Sequence, residues 1–123
     1  MTSYAVPAST GAMSLDASVS AGEFGPLLVL SGEADVTTAA QLSEIVSAQL
    51  SGGTRHLTID AAGLAFADSM SVHILLAAAR TLQERGGSLV LLRPQRTVAT
   101  LLHLTGASQM ITIQGEPDAR TEP

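Results

Sequence analysis

The 123-residue chain contains no cysteine, no tryptophan and no lysine, and only one tyrosine and two phenylalanines. Without cysteine there can be no disulfide, no thiol nucleophile and no thiol-based redox switch. With so few aromatic rings, the core of a chain that is 46% hydrophobic must be aliphatic. Nucleic-acid binding needs clustered cations and stacking surfaces, so six arginines against 11 acidic residues, a net charge of −5, argue against it.

Long apolar segments are also missing. No stretch approaches the ~20 apolar residues of a membrane-spanning helix, and the first 14 residues lack the basic and apolar regions of a secretory signal. We therefore expect a cytoplasmic protein that does not insert into a membrane. The length predicts a single domain at residues 13–114, with a flexible lead-in at 1–12 and an acidic tail at 115–123.

Hydrophobic periodicity divides the chain into alternating strands and helices, with glycines at most of the boundaries. The predicted elements are strands at 14–20 and 26–32, a helix between Thr38 and Gly52, a strand at 56–60, a helix between Ser69 and Gly86, a strand at 88–93, a helix between Pro94 and Gly106, and a strand at 110–114. The order β-β-α-β-α-β-α-β requires crossover connections. It predicts an α/β fold with a mixed, mostly parallel sheet of about five strands and three helices.

Two local patterns make sharper predictions. The strands at 26–32 and 88–93 are continuous aliphatic runs, which is typical of strands covered on both faces of a sheet. Thr38 and Gln41 have the T-x-x-Q spacing of a capping box, in which each side chain bonds a backbone N–H of the other residue at the helix start.

The polar residues do not form a recognisable catalytic set. The three histidines fall on one strand and two different helices, without metal-ligand spacing, and the phosphate-binding and nucleophile motifs of common enzymes are missing. Asp35, Asp60 and Asp68 follow strands and could converge at one end of the sheet, but three carboxylates without a neighbouring cation or histidine make a poor acid–base set. The sequence therefore predicts a protein that is not an enzyme and holds no cofactor or metal.

Two loops combine acidic and hydroxyl side chains where strands lead into helices: GEADVTT at 32–38 and FADSMS at 66–71. Ligands and partners of open α/β sheets gather at such strand ends. An ordinary N-cap would explain either loop alone, with Asp68 or Ser69 as the cap before the second helix. It would not explain why both loops carry the same combination.

Four segments in order resemble the STAS domain of bacterial anti-anti-sigma factors, also called anti-sigma factor antagonists. They are GEADVTTAAQL, IDAAGLAFADSMSV, ERGGSLVLLRPQRTVATLLHLTG and ASQMITI, and the resemblance runs from about residue 13 to 114. It implies a phosphorylation switch. In that family the serine after the Asp of a D-S-[ST]-G-L motif is phosphorylated, which here is Ser69 after Asp68. The acidic residue of the family's G-E-x-D segment falls on Asp35.

The resemblance also implies partners. The unphosphorylated form would bind an anti-sigma factor with serine kinase activity and so release a sigma factor, and a serine phosphatase would reset the phosphorylated form. The chain departs from the motif after Ser69, where Met70, Ser71 and Val72 replace a small hydroxyl residue, Gly and Leu. Ser71 is a second candidate phosphoacceptor. The predicted partner-binding residues are Asp35, Thr37, Asp68, Met70, Ser71 and Val72.

Two other functions remain open. One is a STAS interaction module that is never phosphorylated and serves as a subunit of a signalling or transport complex. The other is a small-molecule sensor, for a nucleotide for example, at the same strand ends, although no glycine-rich phosphate loop supports it.

Overall fold

The computed structural model describes residues 14–115 and, for the backbone only, Thr2–Ala5. Six strands and three helices are present in this part of the chain. They are β1 (Thr2–Ala5), β2 (Leu15–Ala21), β3 (Pro26–Ala34), α1 (Ala39–Leu50), β4 (His56–Ala67), α2 (Ser69–Glu84), β5 (Ser88–Leu92), α3 (Arg96–Leu104) and β6 (Thr112–Gln114). Short 3₁₀ turns follow α1 at Ser51–Gly53 and α3 at Ala107–Gln109.

The strands lie in one sheet in their chain order, β1-β2-β3-β4-β5-β6. β1, β2 and β3 are antiparallel, and β3 to β6 are parallel, so the predicted mixed, mostly parallel sheet is confirmed. The predicted element order and three helices are also found. β1 is an addition, because it falls in the stretch that we expected to be a flexible lead-in. Residues 1 and 6–12 of that stretch, and the tail after Gly115, lie outside the described residues.

All three crossovers join neighbouring parallel strands and step across the sheet in the same direction. Because such crossovers are almost always right-handed, all three helices are expected on the same face. The burial of the strand residues agrees. Leu28, Ile59 and Leu91 are aligned across β3, β4 and β5 by the register and are fully buried in the core with the helices.

None of the helices within residues 14–115 lies over the opposite face of the sheet. Leu27, Val29, Val90 and Leu92 alternate with the buried positions, are partly exposed, and do not belong to the core cluster. The prediction that β3 and β5 are covered on both faces is therefore wrong. Continuous aliphatic runs are typical of doubly covered parallel strands, but the connections here leave one face of this sheet without helices.

β4 is longer than predicted, because it continues to Ala67 instead of ending at residue 60. The extension pairs with the end of β3 after two register shifts, and Ala34 is the partner of Ala67. The irregular pairing carries the two chain segments to the same edge of the sheet before each enters a helix. This edge holds both of the polar loops that the sequence singled out.

α2 crosses the covered face with a continuous apolar stripe. Val72, Leu75, Ala79 and Leu82 are all buried, whereas Leu76, predicted for the same stripe, is partly exposed. The helix ends in a tight turn in which the N–H of Gly87 donates to the carbonyl of Leu82 at 2.8 Å. No helix in the described part of the chain has the length and hydropathy of a membrane span.

Candidate functional site

Asp68 is the N-cap of α2. Its backbone is extended, and its Oδ1 accepts the N–H of Ser71 at 2.9 Å, which satisfies one of the free donors at the helix start. Ser69, the first helical residue, is exposed. The N-cap is therefore Asp68, the first of the two residues proposed for it, and capping does not occupy the hydroxyl of Ser69.

Ser71 has the opposite environment. It is only 1% exposed, and its Oγ lies 2.8 Å from the carbonyl oxygen of Ala34 and 2.9 Å from Oδ1 of Asp68. The single hydroxyl proton can be donated to either acceptor. A kinase would have to open the start of α2 to reach this oxygen. Ser71 is thus a structural link between α2 and β3.

The two polar loops meet at the carbonyl of Ala34. This oxygen also accepts the backbone N–H of Asp68 at 3.0 Å, so both Asp68 and Ser71 are bonded to the residue that precedes Asp35. The fold therefore brings the Asp35 loop beside the start of α2, as the positions at parallel strand ends had suggested. Asp35, Thr37, Asp68 and Ser69 lie at this shared edge.

Asp35 forms a local turn with Thr37. Its Oδ1 accepts both the backbone N–H of Thr37, at 2.8 Å, and the hydroxyl of Thr37, at 2.6 Å. The hydroxyl bond, together with backbone donors from Thr37 and Thr38, lowers the pKa of Asp35 below its ordinary value despite some opposing desolvation. Asp35 is therefore ionised at neutral pH, and the edge carries a fixed negative charge.

Thr38 does not form the predicted capping box. Its hydroxyl accepts the N–H of Asp35 at 3.0 Å and lies 3.1 Å from the carbonyl of Glu33, so the side chain points back into the loop. Its own helix receives no side-chain cap from it. Gln41 is left with a buried Oε1 that has no hydrogen-bond partner in the described structure. The spacing of Thr38 and Gln41 fits a capping box, but the Thr38 hydroxyl is already hydrogen-bonded to Asp35 and Glu33 in the loop before α1.

The surface around Ser69 also contains apolar side chains. Met70 is 50% exposed and Val36, in the loop before α1, is 73% exposed, while Phe66 at the end of β4 is 40% exposed. Val72, only 2% exposed, packs in the core and anchors the start of α2 there, so it is not part of the exposed surface. Sequence reasoning missed Val36 and Phe66. Their signal was apolar residues inside otherwise polar loops, which periodicity does not detect.

The remaining candidate groups lie elsewhere. Asp60 lies inside β4, which continues to Ala67, and it forms an ion pair with Arg93, so it is not part of the Asp35–Asp68 edge. His56 contacts Ser88 through Nδ1 at 3.3 Å, and His73 is exposed on α2. The described residues contain no group of three or more His, Cys, Asp or Glu side chains that could hold a metal ion.

These features define a class of fold: an α/β domain with strands in chain order, helices on one face, and an acidic edge with an exposed serine at the start of its second helix. A family model described as Mlab, STAS domain matches residues 17–113. The chain belongs to the STAS domain family, and the resemblance inferred from the sequence is confirmed at that level. No curated protein matches the chain.

Solved structures of anti-sigma factor antagonists share the fold. An antagonist from Mycobacterium paratuberculosis matches with a TM-score of 0.74 and 24% identity over 88% of this chain and 90% of the other. The antagonist SpoIIAA in its unphosphorylated form matches with a TM-score of 0.67 and 21% identity over 85% of this chain and 90% of the other. The Bacillus cell fate determinant SpoIIAA in its phosphorylated form matches at 0.63 and 20%, over 85% and 94%. At these identities the likeness shows the fold.

Proposed function

We propose that this chain is a cytoplasmic anti-sigma factor antagonist, regulatory rather than catalytic, that is switched by phosphorylation of Ser69. In its unphosphorylated form it binds an anti-sigma factor that is also a serine kinase, and a serine phosphatase restores that form. The observation that carries the proposal is the contrast at the start of α2, where Ser69 is exposed and Ser71 is buried and bonded. A fold neighbour that occurs in unphosphorylated and phosphorylated forms supports the same reading.

Physical chemistry supports a switch at this residue without unfolding. A phosphate at the first turn of a helix is favoured by the free N–H groups and by the helix dipole. It nevertheless adds about −1.5 to −2 charges at neutral pH, beside the Asp68 cap and near the ionised Asp35. A partner that covers this edge would have to bury those charges together, so we expect phosphorylation to release it.

The test is phosphorylation by a purified anti-sigma kinase with ATP, followed by mass spectrometry of the modified peptide. We expect one phosphate per chain, on Ser69, and no phosphate on the Ser69→Ala variant. A phosphate on Ser71 would require the start of α2 to open and would contradict the assignment. Ser69→Ala that keeps its binding to the kinase is the control for an intact docking surface.

A second candidate is an interaction module that is never phosphorylated, as a subunit of a transport complex. It is favoured by Met70 and Ser71, which stand in place of the family's hydroxyl residue and glycine directly after Ser69. It predicts that a partner binds tightly without phosphate transfer. It also predicts that the Ser69→Glu and Ser69→Gln variants bind this partner with equal affinity.

A nucleotide sensor is less well supported by the cavities of the described structure. One cavity of about 400 Å³ lies between the end of α2 and β6, away from Ser69, and its lining contains no charged side chain to meet a phosphate.

A further inference from the structure

A groove runs between α1 and α2 on the outer side of the helical layer. The two helices pack against each other and run parallel, because each follows a strand of the parallel part of the sheet. The groove encloses about 220 Å³. Its walls come from both helices: Ser43, Val46, Ser47, Leu50, His73, Ile74, Ala77, Ala78 and Thr81.

The lining suits the side chains of another protein better than a small molecule. Small-molecule sites usually enclose about 300–1,000 Å³ and have a few convergent polar groups, and this groove is smaller. Ser43, Ser47 and Ala77 are small, so a partner backbone can approach closely. Leu50 and Ile74 are partly exposed and give the groove an apolar floor. Helices that bind in such grooves do so through apolar residues spaced three and four apart.

The groove opens at the edge that contains Ser69. His73 lies one turn after Ser69 on α2, and Met70 lies one turn before Ile74, so each pair shares a helix face. Met70, half exposed, therefore stands at the mouth of the groove, and Ser69 stands beside it. A partner that covers Ser69 can continue along the groove without a gap.

The two ends of the groove differ in charge. Asp35 and Asp68 stand at the Ser69 end, and neither has a cationic partner within the described residues. Arg85 stands at the other end, where its Nη1 donates to the carbonyls of Leu50 at 2.7 Å and Thr54 at 2.8 Å. No carboxylate among the described residues pairs with it. Arg55, whose Nε donates to the carbonyl of Arg85 at 3.0 Å, adds a second cation at this end, and Glu84 adds one exposed carboxylate. The far end is therefore net positive, whereas the mouth of the groove is negative.

We propose that the groove between α1 and α2 is the docking site for one amphipathic helix of the protein partner. That helix places apolar side chains between Ser47 and Ala77, a Lys or Arg at the Ser69 end and an Asp or Glu near Arg85. The proposal rests on the proposed function for the identity of the partner. It adds that the partner contributes a helix, and it gives the orientation of that helix along the groove. It also explains how phosphorylation of Ser69, at one end of the groove, affects an interface that extends along both helices.

Two matched alanines test the groove. Ala77 lies in it, whereas Ala48 is equally an exposed helical alanine but lies on the other side of α1. Ala77→Trp fills the groove and Ala48→Trp does not, while both cost the same helix propensity. The anti-sigma kinase that binds the wild type is the probe, titrated with each variant and with Ser69→Glu. Circular dichroism and the thermal midpoint verify that both tryptophan variants fold.

We expect Ala77→Trp to weaken binding at least about tenfold, the effect of a modest steric clash, and Ala48→Trp to bind like the wild type. Binding of Ala77→Trp at wild-type affinity would overturn the groove proposal, and a loss with Ser69→Glu in the same titration would still support the switch. Conversely, a loss with Ala77→Trp but none with Ser69→Glu would support the groove and contradict the switch. Equal losses with both tryptophan variants would overturn the groove as well.

Discussion

Ser69 and Ser71 are two residues apart and carry the same hydroxyl, yet one is exposed and the other is 1% exposed with two acceptors within 2.9 Å. About half a helical turn separates the two residues, so their side chains point to opposite sides of α2. The sequence alone left both as candidate phosphoacceptors. It could not separate them, since the distinction depends on where the carbonyl of Ala34 lies.

The first prediction compares these two serines. Ser71→Ala removes a buried hydrogen bond and should lower the free energy of unfolding by about 1–2 kcal/mol, whereas Ser69→Ala should lower it by less than about 0.5 kcal/mol, as for an exposed residue. Urea denaturation of the two variants measures both. A larger loss for Ser69→Ala than for Ser71→Ala would contradict the assignment of structural and switch roles.

The second prediction concerns the charge of Asp35. The Thr37 hydroxyl is the main cause of its lowered pKa, so Thr37→Val should raise the pKa of Asp35 toward its ordinary value. A carboxyl whose pKa is lowered by folding stabilises the fold above its unfolded pKa, and this contribution is lost as the pH falls through the folded pKa. NMR titration of the Asp35 carboxyl measures the shift. Thr100→Val, an exposed threonine on α3, is the control and should leave it unchanged.

Strand and helix positions were predictable because each element has a clear period and glycine boundaries. The structure places β2, β3, α1, α2, β5, α3 and β6 close to their predicted positions. Two features were not predictable. A continuous aliphatic run does not tell which face a helix covers, and the pairing of 63–67 with the end of β3 depends on register shifts that no local pattern encodes.

The third prediction tests the face without helices. Leu27 and Leu28 are neighbours on β3, but Leu28 is fully buried under the helices and Leu27 lies on the other face. Leu28→Ala should lower the free energy of unfolding by about 2–5 kcal/mol through transfer and cavity terms, and Leu27→Ala by only about 1 kcal/mol. Chemical denaturation of the two variants measures both losses. Equal losses of unfolding free energy would mean that both faces of the sheet are covered.

At the scale of the whole molecule, the site is assembled from two segments more than 30 residues apart. Sequence reasoning expected Asp35, Asp60 and Asp68 to converge at one end of the sheet. The hydrogen bonds to the Ala34 carbonyl bring the Asp35 and Asp68 segments together, whereas Asp60 lies inside β4 and pairs with Arg93. It could not anticipate the groove between α1 and α2. That feature exists only once the two helices are packed, and the small residues that form it have no signature of their own.

The fourth prediction follows if the acidic edge around Ser69 and the groove between α1 and α2 form one docking surface. Because Asp35 and Asp68 are expected to meet a cation of the partner, its association rate should fall as salt is raised, as for other electrostatically steered complexes. Asp35→Asn should weaken that dependence with an unchanged circular dichroism spectrum. A rate that is independent of salt in the wild type would contradict the charge pattern proposed for the partner helix.

The central claim is that one phosphate on Ser69 turns partner binding off. The most direct measurement is isothermal titration of one anti-sigma kinase with three samples of this protein: unphosphorylated, fully phosphorylated on Ser69, and phosphorylated then treated with a serine phosphatase. We predict tight binding by the first, at least about tenfold weaker binding by the second, the factor that corresponds to about 1.4 kcal/mol, and full recovery by the third. Equal affinity of the phosphorylated and unphosphorylated samples would contradict the account.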